Sequence, residues 1–405
     1  MANEASRPAW RSIPAGVWTL GLVSLLMDTS SELIHSLLPL FLVTTLGAST
    51  LAVGIIEGIA ESTALITKVF SGYLSDYFRN RKVLTVLGYG LAAATKPMFP
   101  LASSLGWVVC ARFVDRVGKG IRGAPRDALI ADITPEHARG VAYGLRQTLD
   151  TIGAVAGPAL AIVAMLWFAD NFRTVFWFAV VPAIASVALL IFGVREPERS
   201  AEIQKRAPPV TIADIKRLSA RYWWIVGVAA LMTLARFSEA FLVLRAQSVG
   251  MALAWVPLVM VVMSLVYALV SYPAGVWMDR GRYRVVLGAG MFALVLADLI
   301  LAGAASTGQM LGGAAVWGVH MGLTQGVLAA LVAETAPADL RGTAFGLFNL
   351  VSGVALLVAS ALAGWLWDVY GPARTFQAGA VFTVLAWLAL LVQNRVDPGR
   401  RDGQE

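Results

Sequence analysis

The chain is 405 residues long, 58% hydrophobic and only 14% charged, where a soluble globular chain is about 25% charged. Its formal net charge is +7, but the basic residues lie in alternate loops between apolar runs, which excludes a nucleic-acid-binding protein. Strand-length alternation is absent, which excludes a membrane barrel, and a single cysteine, Cys110, excludes an internal disulfide framework.

Apolar stretches of about 20 residues recur along the whole chain, each long enough to cross about 30 Å of hydrocarbon as a helix with its backbone bonds satisfied internally. The pattern predicts spans at 15–44, 50–75, 83–103, 105–124, 140–166, 172–194, 220–247, 251–277, 285–304, 309–331, 342–366 and 373–394. Met1 to Ser12 is polar, and the apolar run after it is too long for a signal-peptide core and lacks a small-residue cleavage site. The first span is therefore expected to be retained.

Ionisable side chains inside lipid cost about 2.5–3.5 kcal/mol each on insertion scales, so each one needs a reason. Span 1 carries Asp28, Glu32 and His35 at i, i+4 and i+7, on one stripe. Span 2 carries Glu57 and Glu61 on one stripe, with Lys68 below, and leads into Gly72-Tyr-Leu-Ser-Asp76, followed by Arg79, Arg81 and Lys82. Span 3 holds Lys96. Span 4 reads ARFVDRVGKGIRGAPRDALIAD, with Arg112, Asp115, Arg116 and Lys119 on one face about 100° wide. Its lower end, Lys119, Arg122 and Arg126, reads as a cytoplasmic helix end. Span 5 carries Arg146 and Asp150, then Gly153-Ala-Val-Ala-Gly157-Pro158. Span 7 carries Arg236, Glu239 and Arg245, and span 9 carries Asp298. Counted from the predicted ends, Asp28, Glu32, Glu61, Arg112, Asp115, Arg116, Asp150, Arg236 and Glu239 fall near mid-membrane.

One set of loops holds nearly all the Lys and Arg, and the other only Arg173 and Arg374. Cytoplasmic loops carry that excess, so both termini and the long loop near 196–218 are expected in the cytoplasm. Trp107, Trp167, Trp177, Trp255, Trp365 and Trp367 would line the opposite interface, with Trp18, Trp223 and Trp224 at the inner one. An internal repeat divides the chain. ALIADITPEHARGVAYG at 128–144 aligns with ALVAETAPADLRGTAFG at 330–346, and Gly72–Arg81 aligns with Gly275–Arg284, placing Asp279 opposite Asp76. Ser31-Glu32 and Ser238-Glu239 form a shorter third match. The expectation is an all-α membrane protein of twelve transmembrane helices in two pseudo-symmetric six-helix bundles, 1–195 and 219–405, joined by a cytoplasmic linker at 196–218.

Over nearly its full length the chain resembles the major facilitator superfamily. Gly72, Asp76, Arg79 and Arg81 are similar to the family's loop motif of Gly-x-Leu-Ala-Asp and basic residues, and Asp279 belongs to the repeated copy. Gly153, Gly157 and Pro158 resemble the Gly-x-x-x-Gly-Pro motif of members that export substrate against protons. Arg112 stands where the family often has a single intramembrane Arg, but Asp115 and Arg116 replace the Gln and Gly of its pattern. The resemblance implies that spans 1, 4, 7 and 10 line a central cavity and spans 3, 6, 9 and 12 lie outside. Asp28, Glu32, Arg112, Asp115, Arg236 and Glu239 are then the cavity candidates, with His35, Glu57, Glu61, Arg116 and Asp150 beside them, while Lys96 and Asp298 are expected to be structural.

The implied activity is proton-coupled export of a small organic solute such as a drug, a metabolite or a siderophore. Burial favours the neutral carboxyl and a nearby Arg the charged one, so Glu32 and Asp28 would carry the proton, with Arg112 modulating them. Phe237, Tyr267, Trp317 and Phe345 would line the solute pocket. Two alternatives stand beside it: a proton-coupled uptake symporter, and a divalent-metal exporter in which Asp28, Glu32 and His35, with Glu57 and Glu61, form an O/N site of the kind first-row metals accept. No resident metal or cofactor is expected. Lys119-Gly120 lacks the glycine spacing and Ser/Thr of a phosphate-binding loop, and no enzyme constellation is present. A monomer in a bacterial inner membrane, meeting lipid, protons and a small molecule, completes the expectation.

Overall fold

A computed structural model describes residues 13–77, 80–196, 215–337 and 340–396. Arg7, Arg11, Arg79 and residues 197–214 of the expected linker lie outside these. Among the described residues the regular structure is helical throughout. In chain order the helices are α1 (Ala15–His35), α2 (Thr50–Tyr77), α3 (Arg81–Thr95), α4 (Leu105–Ile133), α5 (Arg139–Trp167), α6 (Phe172–Gly193), α7 (Ala220–Ala235), α8 (Ala240–Ser248), α9 (Leu258–Asp279), α10 (Tyr283–Gly303), α11 (Thr307–Thr335), α12 (Arg341–Tyr370) and α13 (Pro372–Val396).

Side chains set several of the boundaries. Asn80 accepts from the Val83 amide at 2.9 Å, Asn171 from Thr174 at 3.1 Å and Ser219 from Tyr222 at 3.1 Å, satisfying amides that a helix start leaves over. Gly371, at φ 84°, ends α12 in the left-handed conformation that glycine adopts without strain. Pro125, Pro158, Pro182 and Pro273 sit inside α4, α5, α6 and α9. Membrane helices tolerate interior proline because neighbouring groups satisfy the freed carbonyls.

Ten helical stretches among the described residues are long and apolar enough to cross a membrane. The two further predicted spans do not qualify by length and composition. The α-helical part of α3 has 15 residues, about 22 Å at 1.5 Å per residue, before a 3-10 turn at Lys96–Met98. Helix α4 is long enough but carries Arg112, Asp115, Arg116, Lys119, Arg122, Arg126, Asp127 and Asp132. The stretch expected at 220–247 is one of the ten, and its helix breaks between α7 and α8, at Arg236–Glu239.

The contacts divide the chain into two compact units. The first comprises Met1–Gly47, Thr63–Pro208 and Ala252–Val261; the second comprises Ala48–Ser62, Pro209–Met251 and Val262–Glu405. Helix α2 is thus shared, its first half in the second unit and its second half in the first.

In the first unit α1 packs along α5 and α6, and α3 along α4. Ser30 Oγ donates to the Ala179 carbonyl at 2.6 Å and Ser186 Oγ to the Val23 carbonyl at 2.7 Å. Interhelical hydrogen bonds and small residues of this kind hold helices together where lipid removes the hydrophobic drive. Gly88 and Gly118 face one another: a Cβ on either would fall within 2.7 Å of the other's carbonyl oxygen.

In the second unit α10 packs along α11 and α13, and α7 along α12 and α13. The first half of α2 joins them. A Cβ on Gly364 would sit 2.6 Å from the Leu51 Cα, and one on Gly58 3.0 Å from the Leu357 Cα, so backbones touch along this seam. Asp368 closes its end by accepting from the Thr50 and Leu51 amides at 3.0 and 2.8 Å. A carboxylate at a helix N-terminus gains from both the bonds and the dipole. Asp368→Ala is expected to cost about 1 kcal/mol, read as a lower melting temperature of the purified protein in detergent.

Candidate functional site

Charged side chains in the first unit's interior are grouped along one continuous stripe of α4. Asp115, 3% exposed, pairs with Lys96 Nζ at 2.8 Å, and Arg116 Nε lies 3.8 Å from its other oxygen. Lys96 also donates to Ser31 Oγ of α1 at 2.9 Å. One turn towards the end that precedes these residues, Arg112 donates to His35 Nδ1 at 3.2 Å. A guanidinium only donates, so Nδ1 accepts and the imidazole proton sits on Nε2. Further along α4, Arg122 Nη2 lies 3.5 Å from Asp28 Oδ1, with its guanidinium stacked 4.5 Å over the Tyr89 ring. Arg126 bonds Ser24 Oγ at 3.0 Å, Tyr89 Oη at 3.4 Å and Asp127 at 3.1 Å. Asp127 also meets Arg146 at 3.2 Å, and Arg146 pairs with Asp150 one turn on along α5.

This corrects two expectations. Arg112 is not the cation on Asp28; Arg122 is, and Arg122 is 4% exposed rather than part of a solvated helix end. Asp28 and His35 are drawn to different arginines of α4, Arg122 and Arg112. The partner of Lys96 is Asp115, one of the expected cavity acids. Sequence reasoning missed Arg122, Arg126, Asp127 and Tyr89. The signal was present: 112, 116, 119, 122 and 126 advance by three and four, so the stripe continues past the point where it was expected to end.

The glycine motif of α5 lies directly behind the two acids of α1. A Cβ on Gly153 would fall 2.8 Å from the Leu25 carbonyl and 3.0 Å from the Asp28 Cβ; one on Gly157 would fall 2.7 Å from the Thr29 carbonyl and 2.8 Å from the Glu32 Cβ. Pro158 is buried beside them. Asp28 (side chain 24% exposed) and Glu32 are half-buried on this wall. Gly157→Ala is therefore expected to force α1 and α5 apart at a cost of about 1–3 kcal/mol. Gly144→Ala on the same helix, where a Cβ meets nothing within 4 Å, should leave the melting temperature unchanged or higher.

The remaining predicted residues are placed as follows. Arg81 bonds Asp132 at 2.7 Å and the Ala128 carbonyl at 3.1 Å, and its amide donates to Glu196 at 2.7 Å, tying the start of α3 to α4. Gly72 and Asp76 lie in α2, but their side chains are outside the described residues. Asp279 is exposed at the end of α9. In the second unit Glu57 is fully buried and Glu61 half-buried on the first half of α2. Arg236 and Glu239, half-buried, flank the break between α7 and α8. There Ser238 donates its amide to Ser360 Oγ of α12 at 3.2 Å. Phe237, inside the break, stacks with Trp317 at 5.7 Å, Phe241 at 5.3 Å and Phe376 at 5.4 Å. Tyr267 donates instead to Gln325 at 2.8 Å. Arg245 is a cap, holding the Leu301, Ala302 and Ala304 carbonyls at 2.9, 3.2 and 2.6 Å.

A family model described as Major Facilitator Superfamily matches residues 20–258 and 239–405. An uncharacterised MFS-type transporter of Methanocaldococcus jannaschii is 32% identical over 388 residues, covering 94% of this chain and 95% of that one. The inner membrane transport protein YajR of Escherichia coli is 24% identical over 387 residues, 92% of this chain and 82% of that one. Among solved structures, a D-xylose-proton symporter superposes with a TM-score of 0.70 at 18% identity, covering 92% of this chain and 95% of that one.

Proposed function

The chain belongs to the Major Facilitator Superfamily, and from that premise we propose that it is a proton-coupled exporter of a small organic solute, with Glu32 and Asp28 of α1 as the coupling acids. It works by alternating access as twelve crossings in two six-helix bundles, 1–195 and 219–405, around a linker at 196–218. The bundles sit in an inner membrane with both termini cytoplasmic, as the Lys/Arg asymmetry of the loops favours.

One observation carries the assignment to the α1 acids: Gly153 and Gly157 bring α5 into backbone contact with the turns of α1 that hold Asp28 and Glu32. A glycine motif that resembles the exporters' own thus forms the wall behind two half-buried acids. Asp28 is neutralised by Arg122 when ionised; when it takes a proton the guanidinium is released to another anion. Substrate and proton can then compete for one acidic surface, which makes their movements opposite. Arg122, with Tyr89 behind it, modulates the pair, while the buried Lys96–Asp115 bridge fixes α3 against α4.

Everted membrane vesicles energised with a pH gradient, screened against a panel of organic solutes and divalent cations, test the reading. An organic solute is expected to accumulate and to leak out when the gradient is collapsed. Accumulation confined to divalent cations would replace this reading with the metal exporter.

A further inference from the structure

The offset of 202 that aligns 128–144 with 330–346 also relates two pairs of buried side chains. It carries Gly88 to Gly290 and Gly118 to His320, and the helices pack accordingly: α3 meets α4 at Gly88 and Gly118, while α10 meets α11 at Gly290, whose carbonyl faces His320 Nδ1 at 2.8 Å. The same offset carries Lys96 to Asp298 and Asp115 to Trp317. In the first unit that pair is a closed salt bridge at 2.8 Å. In the second unit the cation's place is taken by an acid and the acid's place by an indole.

Neither group has found a substitute. Asp298 is 0% exposed, and among the described residues neither of its carboxylate oxygens has a hydrogen-bond partner; Trp317 is equally buried, and its Nε1 has none there. The charged and titratable groups of the packed helices are engaged elsewhere or lie apart. His320 bonds Gly290, Arg374 bonds Gln377 at 2.8 Å, Arg245 caps α10, and no ion pair among the described residues reaches Asp298. Arg236 lies beyond the end of α7, with Glu239 after it.

What faces Asp298 is the broken end of α7. A Cβ placed on Gly379 of α13 would touch Asp298 Oδ2 at 2.7 Å and the Ala235 carbonyl at 3.1 Å, so acid and carbonyl border the same small space. Ala235 is the last residue of α7, where the helix dipole is negative. An ionised carboxylate there would be isolated in a low-dielectric interior against like charge, which costs far more than a membrane bundle can absorb. A metal cation needs about six oxygens, and one carboxylate and one carbonyl border this space. A proton needs one acceptor.

We propose that Asp298 is a proton-binding site in the second unit, separate from the acids of α1, which holds a neutral carboxyl against the carbonyl end of α7. The proton comes from water and returns to it. Its loss leaves a carboxylate facing the Ala235 carbonyl, and repulsion between the two loosens the end of α7 that leads into the break. Discontinuous helices of transporters place cation sites at such half-helix ends.

The test is infrared difference spectroscopy on the full chain in nanodiscs, stepped from mildly acidic to alkaline pH. The wild type should lose a protonated-carboxyl C=O band as pH rises. The band should be absent in Asp298→Asn and shifted in Gly379→Ala, whose added methyl abuts Oδ2 and which keeps the test open should the first variant not fold. It should persist in Glu32→Gln and Asp28→Asn, which separates this site from the proposed coupling acids. Amide exchange of the peptide around 236–239 at alkaline pH should be faster in the wild type than in Asp298→Asn. No such band, a band unchanged in both second-unit variants, or equal exchange would overturn the proposal.

Discussion

Glu32→Gln leaves the protein folded and removes proton-driven solute movement, by at least about tenfold, the factor that about 1.4 kcal/mol of lost coupling represents. The amide keeps the shape of the carboxyl, so the close contact between Glu32 and Gly157 survives, and a half-buried position tolerates a neutral polar group. The amide cannot take up and release a proton. Downhill solute exchange should continue, because only the coupling is lost. Asp28→Asn should add a second defect, since Arg122 at 3.5 Å loses its counter-ion. Solute flux with and without a pH gradient, in proteoliposomes of matched protein content, separates the two variants. Gradient-driven flux equal to wild type in Glu32→Gln would remove Glu32 from the mechanism.

Asp115→Asn has the largest expected effect on stability, about 3–5 kcal/mol. It leaves Lys96, 1% exposed, without the carboxylate it meets at 2.8 Å, and deprives Arg116 of the same group. The Ser31 hydroxyl cannot neutralise the ammonium. The charge-free pair Lys96→Met with Asp115→Leu should recover most of the loss, because replacing both partners removes the desolvation cost with the attraction. Thermal unfolding in detergent reads both. A double variant no better than Asp115→Asn would mean that Arg116 is the partner that matters.

The sequence shows where the helices are and little of where they break. Span 6, expected at 172–194, is Phe172–Gly193, because its apolar run is bounded by a capping Asn171 and a change of composition. The break at Arg236–Glu239 carries no Gly or Pro, and it is held by Ser360 from a helix far along the chain, so no local signal marks it. The first part of the α4 stripe, Arg112 to Lys119, was legible from 100° periodicity alone. Which acid meets which cation was not: Asp28 reaches Arg122 and Asp115 reaches Lys96 because of the rotation of α1 and α3 against α4, which side-chain spacing on one helix does not encode. The repeat carried more than expected. Its offset of 202 also relates the positions where charge is matched in one unit and unmatched in the other.

The coupling claim is tested most directly by recording solute exit and lumen pH together in proteoliposomes holding the wild-type protein, the most active solute of the vesicle screen and an outward-acid gradient. The account requires the lumen to acidify as solute leaves, in proportion to it, with both signals falling together in Glu32→Gln. Solute and protons moving in the same direction, or solute leaving with no change in lumen pH, would contradict it.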